Sequence, residues 1–148
     1  MRISVIAVGT RMPTWVEQGI TEYTRRLPRE LQVLWREIPL ARRGKDVSAA
    51  SVCAAEGEQI LKAIPAGERV VALDVQGKRV STEELARQLS AWQMSGDNYN
   101  VLIGGPDGLS PACLARADLC WSLSDLTLPH PLVRVLLAND EIWRRSVA

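Results

Sequence analysis

Histidine occurs once in this chain, at His130, cysteine three times, and phenylalanine not at all. With one histidine and no C-x-x-C pair, no cluster has the spacing of a zinc site, so no metal is expected. Cys53, Cys113 and Cys120 are odd in number and no secretory leader is evident, which favours reduced thiols in a cytoplasmic protein over a disulfide frame. No apolar run approaches the ~20 residues of a membrane-spanning helix, so no membrane partner is expected. The missing phenylalanine, set against five tryptophans, points by itself to no function. Net charge is nearly absent too: 18 basic and 17 acidic side chains leave +1. No overall basic field therefore draws the protein onto nucleic acid, and any RNA contact has to be a local patch. Three clusters could supply one: Arg25, Arg26 and Arg29; Arg42, Arg43 and Lys45; and Arg134, Arg144 and Arg145. An ordinary solvated surface is the simpler account of any one of them.

Familiar site signatures are missing as well. The first apolar run leads into Val8-Gly9-Thr10 without G-x-G-x-x-G, which disfavours a dinucleotide site or an ordinary Rossmann methyltransferase. Neither a G-x-x-x-x-G-K-[ST] phosphate loop nor a G-x-S-x-G nucleophile elbow occurs.

What is present is an alternation of strand and helix patterns over 148 residues, 47% of them hydrophobic and 24% charged. Strands are expected at 1–8, at Leu31–Ile38, at Arg69–Leu73 with a turn at Gly77, at Tyr99–Ile103 and at Leu119–Leu123. Helices are expected from Thr14 to about Arg26, closed by Pro28, and from about Val47 to Ala63. Two more follow, a long one after Ser81-x-x-Glu84, which has the pattern of a capping box, and a short one from Ser110-Pro111. A last helix is expected from Pro131 to about Arg145. Strands separated by helices favour a parallel sheet covered on both faces, so a single α/β domain over 1–148 is the expected fold.

Ligands of open parallel sheets bind beyond the carboxyl ends of the strands. Three of these ends are unusual: Leu73-Asp74, Gly104-Gly105-Pro106-Asp107-Gly108, and the loop Leu123-Ser124-Asp125-Leu126-Thr127-Leu128-Pro129. Two adjacent glycines let a ligand lie against backbone groups. The loop interleaves Ser124, Asp125 and Thr127 with Leu126 and Leu128, which suits an adenine edge and its faces. His130, between two prolines at a helix start, reads first as a structural hydrogen-bonding residue.

Three segments are shared with a known family: VIAVGTRMPTWV from Val5, LIGGPDGLSPAC from Leu102 and WSLSDLTLPHPLVRVLLA from Trp121. From the first residue to about Ala138 the chain resembles the ribosomal large-subunit pseudouridine N3-methyltransferases of the SPOUT superfamily. The resemblance implies a five- or six-stranded parallel sheet with a C-terminal trefoil knot. It also implies a homodimer with active sites at the subunit interface. S-adenosylmethionine would be bound by Leu73, by Gly104 and Gly105, and by Leu123, Ser124, Asp125, Leu126, Thr127 and Leu128. The implied reaction is methyl transfer to N3 of a pseudouridine in the ribosomal RNA of the large subunit. No residue stands out as its general base. Arg42, Arg43 and Arg134 are substrate-positioning candidates through RNA phosphates, and His130 is carried with them. After Ala138 the family pattern continues Tyr-Arg-Ala-Trp-Ser and ends in His-Pro-Tyr-His-Arg, whereas this chain reads NDEIWRRSVA over 139–148. In the family that tail reaches toward the active site and the RNA. A knotted dimer that binds cofactor or RNA with impaired turnover is therefore the alternative expectation.

Overall fold

A computed structural model describes residues 2–27, 31–42 and 44–139. Its elements alternate along the chain: β1 (Arg2–Val8), α1 (Thr14–Thr24), β2 (Gln32–Ile38), α2 (Ala49–Ala63), β3 (Arg69–Arg79), α3 (Thr82–Ser95), β4 (Tyr99–Ile103), α4 (Pro111–Arg116), β5 (Leu119–Ser122) and α5 (His130–Ala138). Serines start three of the helices. The hydroxyls of Ser48, Ser81 and Ser110 accept from the backbone N–H three residues on, at 3.1, 3.1 and 3.2 Å, so each satisfies a donor that the first helical turn leaves open. Pro111 follows its cap at a position where a missing N–H removes no helical bond.

The five strands form one parallel sheet in the order β2-β1-β4-β3-β5. Side chains alternate between its faces, and the sequence supplies apolar residues for both. Ile3, Val5 and Ala7 of β1 join Val71, Val101 and Ile103 in a core under α3 and α5, with Leu85, Leu89, Trp92 and Leu137. Ile6 and Val8 join Val70 and Leu102 on the opposite face, where α2 and α4 bring Ile60 and Cys113. Trp92 lies at the centre of an aromatic stack, 3.7 Å from the Tyr99 ring centroid and 5.4 Å from that of Trp121. Doubly covered parallel strands of this kind read as near-continuous apolar runs, which is why β4 (YNVLI) is buried throughout.

Three expectations are corrected. Gly77 is no turn: β3 runs through it to Arg79, with a register shift against β5 between Leu73 and Lys78. A Cβ at Gly77 would stand 2.7–2.8 Å from the backbone of Cys120 and Trp121, so the glycine is there to let the two strands close again after the shift. Leu123 lies just beyond β5, which stops at Ser122. The last helix ends at Ala138, because Asn139 leaves the helical region with ψ 114°. Pro28, Arg29, Arg43 and the divergent segment 140–148, with Ile142, Trp143, Arg144 and Arg145, lie outside the described residues.

Candidate functional site

The sheet order makes neighbours of β4, β3 and β5, the three strands whose sequences carry unusual ends. A cavity of about 520 Å³ opens there. Leu73, Asp74 and Val75 form one wall where the β3–β4 ladder has reached its last pair, Leu73 with Ile103. Ile103, Gly104, Gly105, Pro106, Gly108 and Leu109 form the second. The third is Trp121 to Ser124 with Leu126 to His130, backed by Val133 of α5. Of the nine residues expected to hold a cofactor, eight line this cavity, and Asp125 does not. Asp125 points away and pairs with Arg79 at 2.8 Å on the surface.

The two principal loops are held differently. In the glycine loop, Gly108 N–H donates to the Gly105 carbonyl at 2.9 Å, closing a tight turn with Gly108 at φ 81°. A Cβ at Gly104 would lie 2.6–2.9 Å from the backbone of Gly108 and Leu109, and one at Gly105 would meet Val8 at 3.0 Å and the Glu56 carboxylate at 3.4 Å. Gly104 is thus required by the loop's own packing, while Gly105 is closely approached by side chains of β1 and α2. Both present backbone to the cavity as a consequence of that packing. The 123–129 loop is stapled by serines: Ser122 donates to the Ser124 carbonyl at 2.9 Å, and Ser124 Oγ accepts from Leu126 N–H at 3.0 Å. It leaves Leu126 72% exposed, and across the cavity Val75 is 62% exposed. Uncovered apolar walls around a few backbone polar groups are what an adenosine-sized ligand with one polar end would cover, and the volume is within the usual range for such pockets. The residues present fit a nucleoside cofactor.

The substrate-positioning candidates separate. His130 is in the cavity wall, with Nδ1 buried and without a hydrogen-bond partner among the described residues. Burial, reinforced by the charge of Arg134 and opposed by that of Glu56, holds its pKa below the ordinary imidazole value, so it is neutral at pH 7. Arg42 is exposed on the loop after β2, and Arg43 beside it is outside the described residues. Arg134 is not in the cavity wall and is 2% exposed. Its guanidinium donates to Glu37 at 2.6 Å and to the carbonyls of Gly9 at 2.7 Å and Val8 at 3.3 Å. It ties α5 to the ends of β1 and β2, an arrangement that leaves it no reach toward a phosphate. In the patch at the end of α1, Arg25 and Arg26 both pair with Glu22 at 2.7 Å.

The sequence reading missed Val75, Trp121 and Val133 as wall residues, because their place in the cavity depends on the β3 register shift and on the docking of α5. It also missed Glu56, 2% exposed on α2, whose Oε2 accepts from Ala41 N–H at 3.0 Å. A glutamate in an amphipathic helix, two residues from the exposed Glu58, carries no signal that it will be buried.

Known proteins match the chain along nearly its whole length. The family described as "Predicted SPOUT methyltransferase" matches residues 1–146. The "Ribosomal RNA large subunit methyltransferase H" of Saccharophagus degradans is 58% identical over 144 residues, covering 97% of this chain and 92% of the relative. Proteins of the same name from Hahella chejuensis and a Marinomonas species are 54% and 51% identical over the same shares of both chains. An α/β fold with one parallel sheet, a cavity at three adjoining strand ends and a family match across residues 1–146 agree, and the chain belongs to the SPOUT methyltransferases.

Proposed function

We propose that this protein transfers a methyl group from S-adenosylmethionine to N3 of a pseudouridine in large-subunit ribosomal RNA. The observation that carries the reading is the convergence of Leu73, Gly104-Gly105 and the 123–128 loop on one cavity that fits a nucleoside. The family supplies the reaction class, and the relatives' names supply the substrate class. S-adenosylmethionine, when bound, supplies a methyl group already made electrophilic by its sulfonium. The protein's residues have to bind the adenosine, keep water from the reacting atoms and hold N3 in line with the methyl. Leu73, Leu126 and Leu128 would cover the adenine faces, and backbone groups of the two loops would take its edge. With the cofactor supplying the methyl, the protein's part would be to hold N3 toward it and let the imide proton pass from N3 to solvent water. Neutral His130, on the cavity wall, would hydrogen-bond the base, and Arg42 with its sequence neighbour Arg43 would meet RNA phosphates.

The remaining parts of the reading follow from the same family. Leu132 and Leu136 of α5 stay 36% and 38% exposed one turn apart, and Trp15 of α1, which packs against α5, is 55% exposed. These side chains suit the face of a homodimer, and the C-terminal knot and cytoplasmic work on ribosomes belong to the same reading. Among the described residues no helix is long and apolar enough to cross a membrane.

The test is a methyl-labelled cofactor supplied with ribosomes that lack the modification. Label should appear at N3 of one pseudouridine, and Leu126→Asp should weaken cofactor binding about tenfold while leaving the melting temperature unchanged, since the side chain is exposed. Absence of label from the RNA, with intact cofactor binding, would overturn the substrate.

A further inference from the structure

We infer that Glu56 is a positioning residue for the RNA substrate: it locks the basic loop after β2 to the glycine loop of the cofactor cavity. The inference rests on the RNA-methylating reading above. α2 approaches two loops at once. Near its start, Cys53 Sγ lies 3.2 and 3.3 Å from the carbonyl oxygens of Asp107 and Gly108, a weak thiol contact to the far side of the glycine turn. One turn on, the Glu56 carboxylate sits where three chain segments meet. Its Oε2 accepts from Ala41 N–H at 3.0 Å, and its Oε1 is 3.4 Å from the Cβ position of Gly105, which Leu40 and Val8 also approach, at 3.5 and 3.0 Å.

Packing alone does not call for a carboxylate at this place. An apolar side chain of the same length would fill the space without the desolvation that a charge suffers at 2% exposure. What an apolar side chain cannot do is hold a backbone N–H of the loop that carries Arg42. The hydrogen bond fixes Ala41 relative to Gly105, so the loop that would meet RNA phosphates is held in register with the edge that would hold the methyl donor. Both loops are referred to α2, and Leu40 adds an apolar approach of the first to the Gly105 position. The cofactor walls are complete without Ala41, so loss of this link should act on the second substrate.

The readouts are cofactor affinity by calorimetry, rRNA binding, and the KM and kcat for unmodified ribosomes, all on protein shown to be folded by its melt. Glu56→Ala should raise the rRNA KM and Kd about tenfold or more, with cofactor Kd within about threefold of wild type. Glu56→Gln, whose amide oxygen can still accept from Ala41, should restore the rRNA values to within about threefold. A merely structural role predicts instead that cofactor and rRNA affinity fall together with the melting temperature, and that result would overturn the proposal. So would an unchanged rRNA KM in folded Glu56→Ala. If that variant does not fold, Ala41→Pro removes the N–H with Glu56 left in place: a raised rRNA KM at unchanged cofactor affinity supports the link, and wild-type values overturn it. Wild-type protein that binds cofactor but neither binds nor methylates rRNA would overturn the parent reading as well, which separates the two failures.

Discussion

The two ends of the sheet are built on opposite principles. At the amino end, a network of polar groups is paired within the chain, although Arg2 Nε and Asn100 Oδ1 are buried with no partner among the described residues. Arg2 pairs with Glu68, Asn100 donates to Glu68 at 3.1 Å and to the Arg69 carbonyl at 3.2 Å, Arg116 donates to the Glu68 carbonyl at 2.8 Å, and Asp118 accepts from Val70 N–H at 2.8 Å. At the carboxyl end the strands stop at a 520 Å³ cavity with apolar side chains uncovered. Unpaired polar groups are costly only where water is excluded, so one end gains rigidity by closing and the other keeps room for ligands by staying open. The contrast implies that mutations at the amino end act on stability alone, while those at the carboxyl end act on binding, except where a loop's own packing is at stake.

The largest effect should come from that exception. Gly104→Ala puts a Cβ within 2.6 Å of backbone in the glycine turn, which flexible side chains cannot relieve. A loss of about 3 kcal/mol in stability is expected, together with most of the cofactor affinity. Denaturant melts and calorimetry check it, and a variant with wild-type stability would show that the turn is looser than its contacts.

Next comes the closed end. Burial pushes the Glu68 carboxyl up, but hydrogen bonds from Arg2 and Asn100, with the charge of Arg2, outweigh it and hold its pKa below the ordinary glutamate value. A carboxyl with a depressed folded pKa contributes stability above its unfolded pKa, and that contribution is lost as pH falls through the folded value. Glu68→Ala should therefore destabilise by about 2 kcal/mol at pH 7, with cofactor affinity unchanged. The gap to wild type should narrow as pH is lowered below the ordinary glutamate range. A gap that is constant with pH would mean that the ionised form is not what matters.

The smallest effect is expected at the Arg79–Asp125 pair, which spans from β3 to the cofactor loop with side chains 75% and 70% exposed. Solvent screens such a pair, so Asp125→Asn should leave the melt within about 2 °C of wild type and raise the cofactor Kd about twofold. In roughly 0.5 M salt the difference should vanish. Persistence at high salt would point to a contact from Asp125 itself.

Much of this was legible in the residues. β4 and the greater part of β1 announced themselves as apolar runs, and Ser81 and Ser110 marked helix starts, because strand burial and capping depend on near neighbours. The Gly104-Gly105 and 123–128 segments stood out for the same local reason. What eluded the sequence was set by distant partners. Arg134 and Asp125 looked available for ligands, yet one is buried against Glu37 and the carbonyl oxygens of Val8 and Gly9, and the other turns outward to Arg79. Gly77 looked like a turn because a glycine after an apolar run usually is one, and only the return of β3 to β5 explains it.

By itself, then, the sequence determined the alternation of elements, the two apolar faces of the sheet and the family to which the three motifs belong, since periodicity, caps and motifs are properties of adjacent residues. Tertiary structure alone decided that β4, β3 and β5 stand side by side, so that three separate strand ends make one cavity, and that Glu56 is buried between two loops. Strand order and the burial of a charge are settled by which residues far apart in the chain come into contact, and no local pattern encodes that.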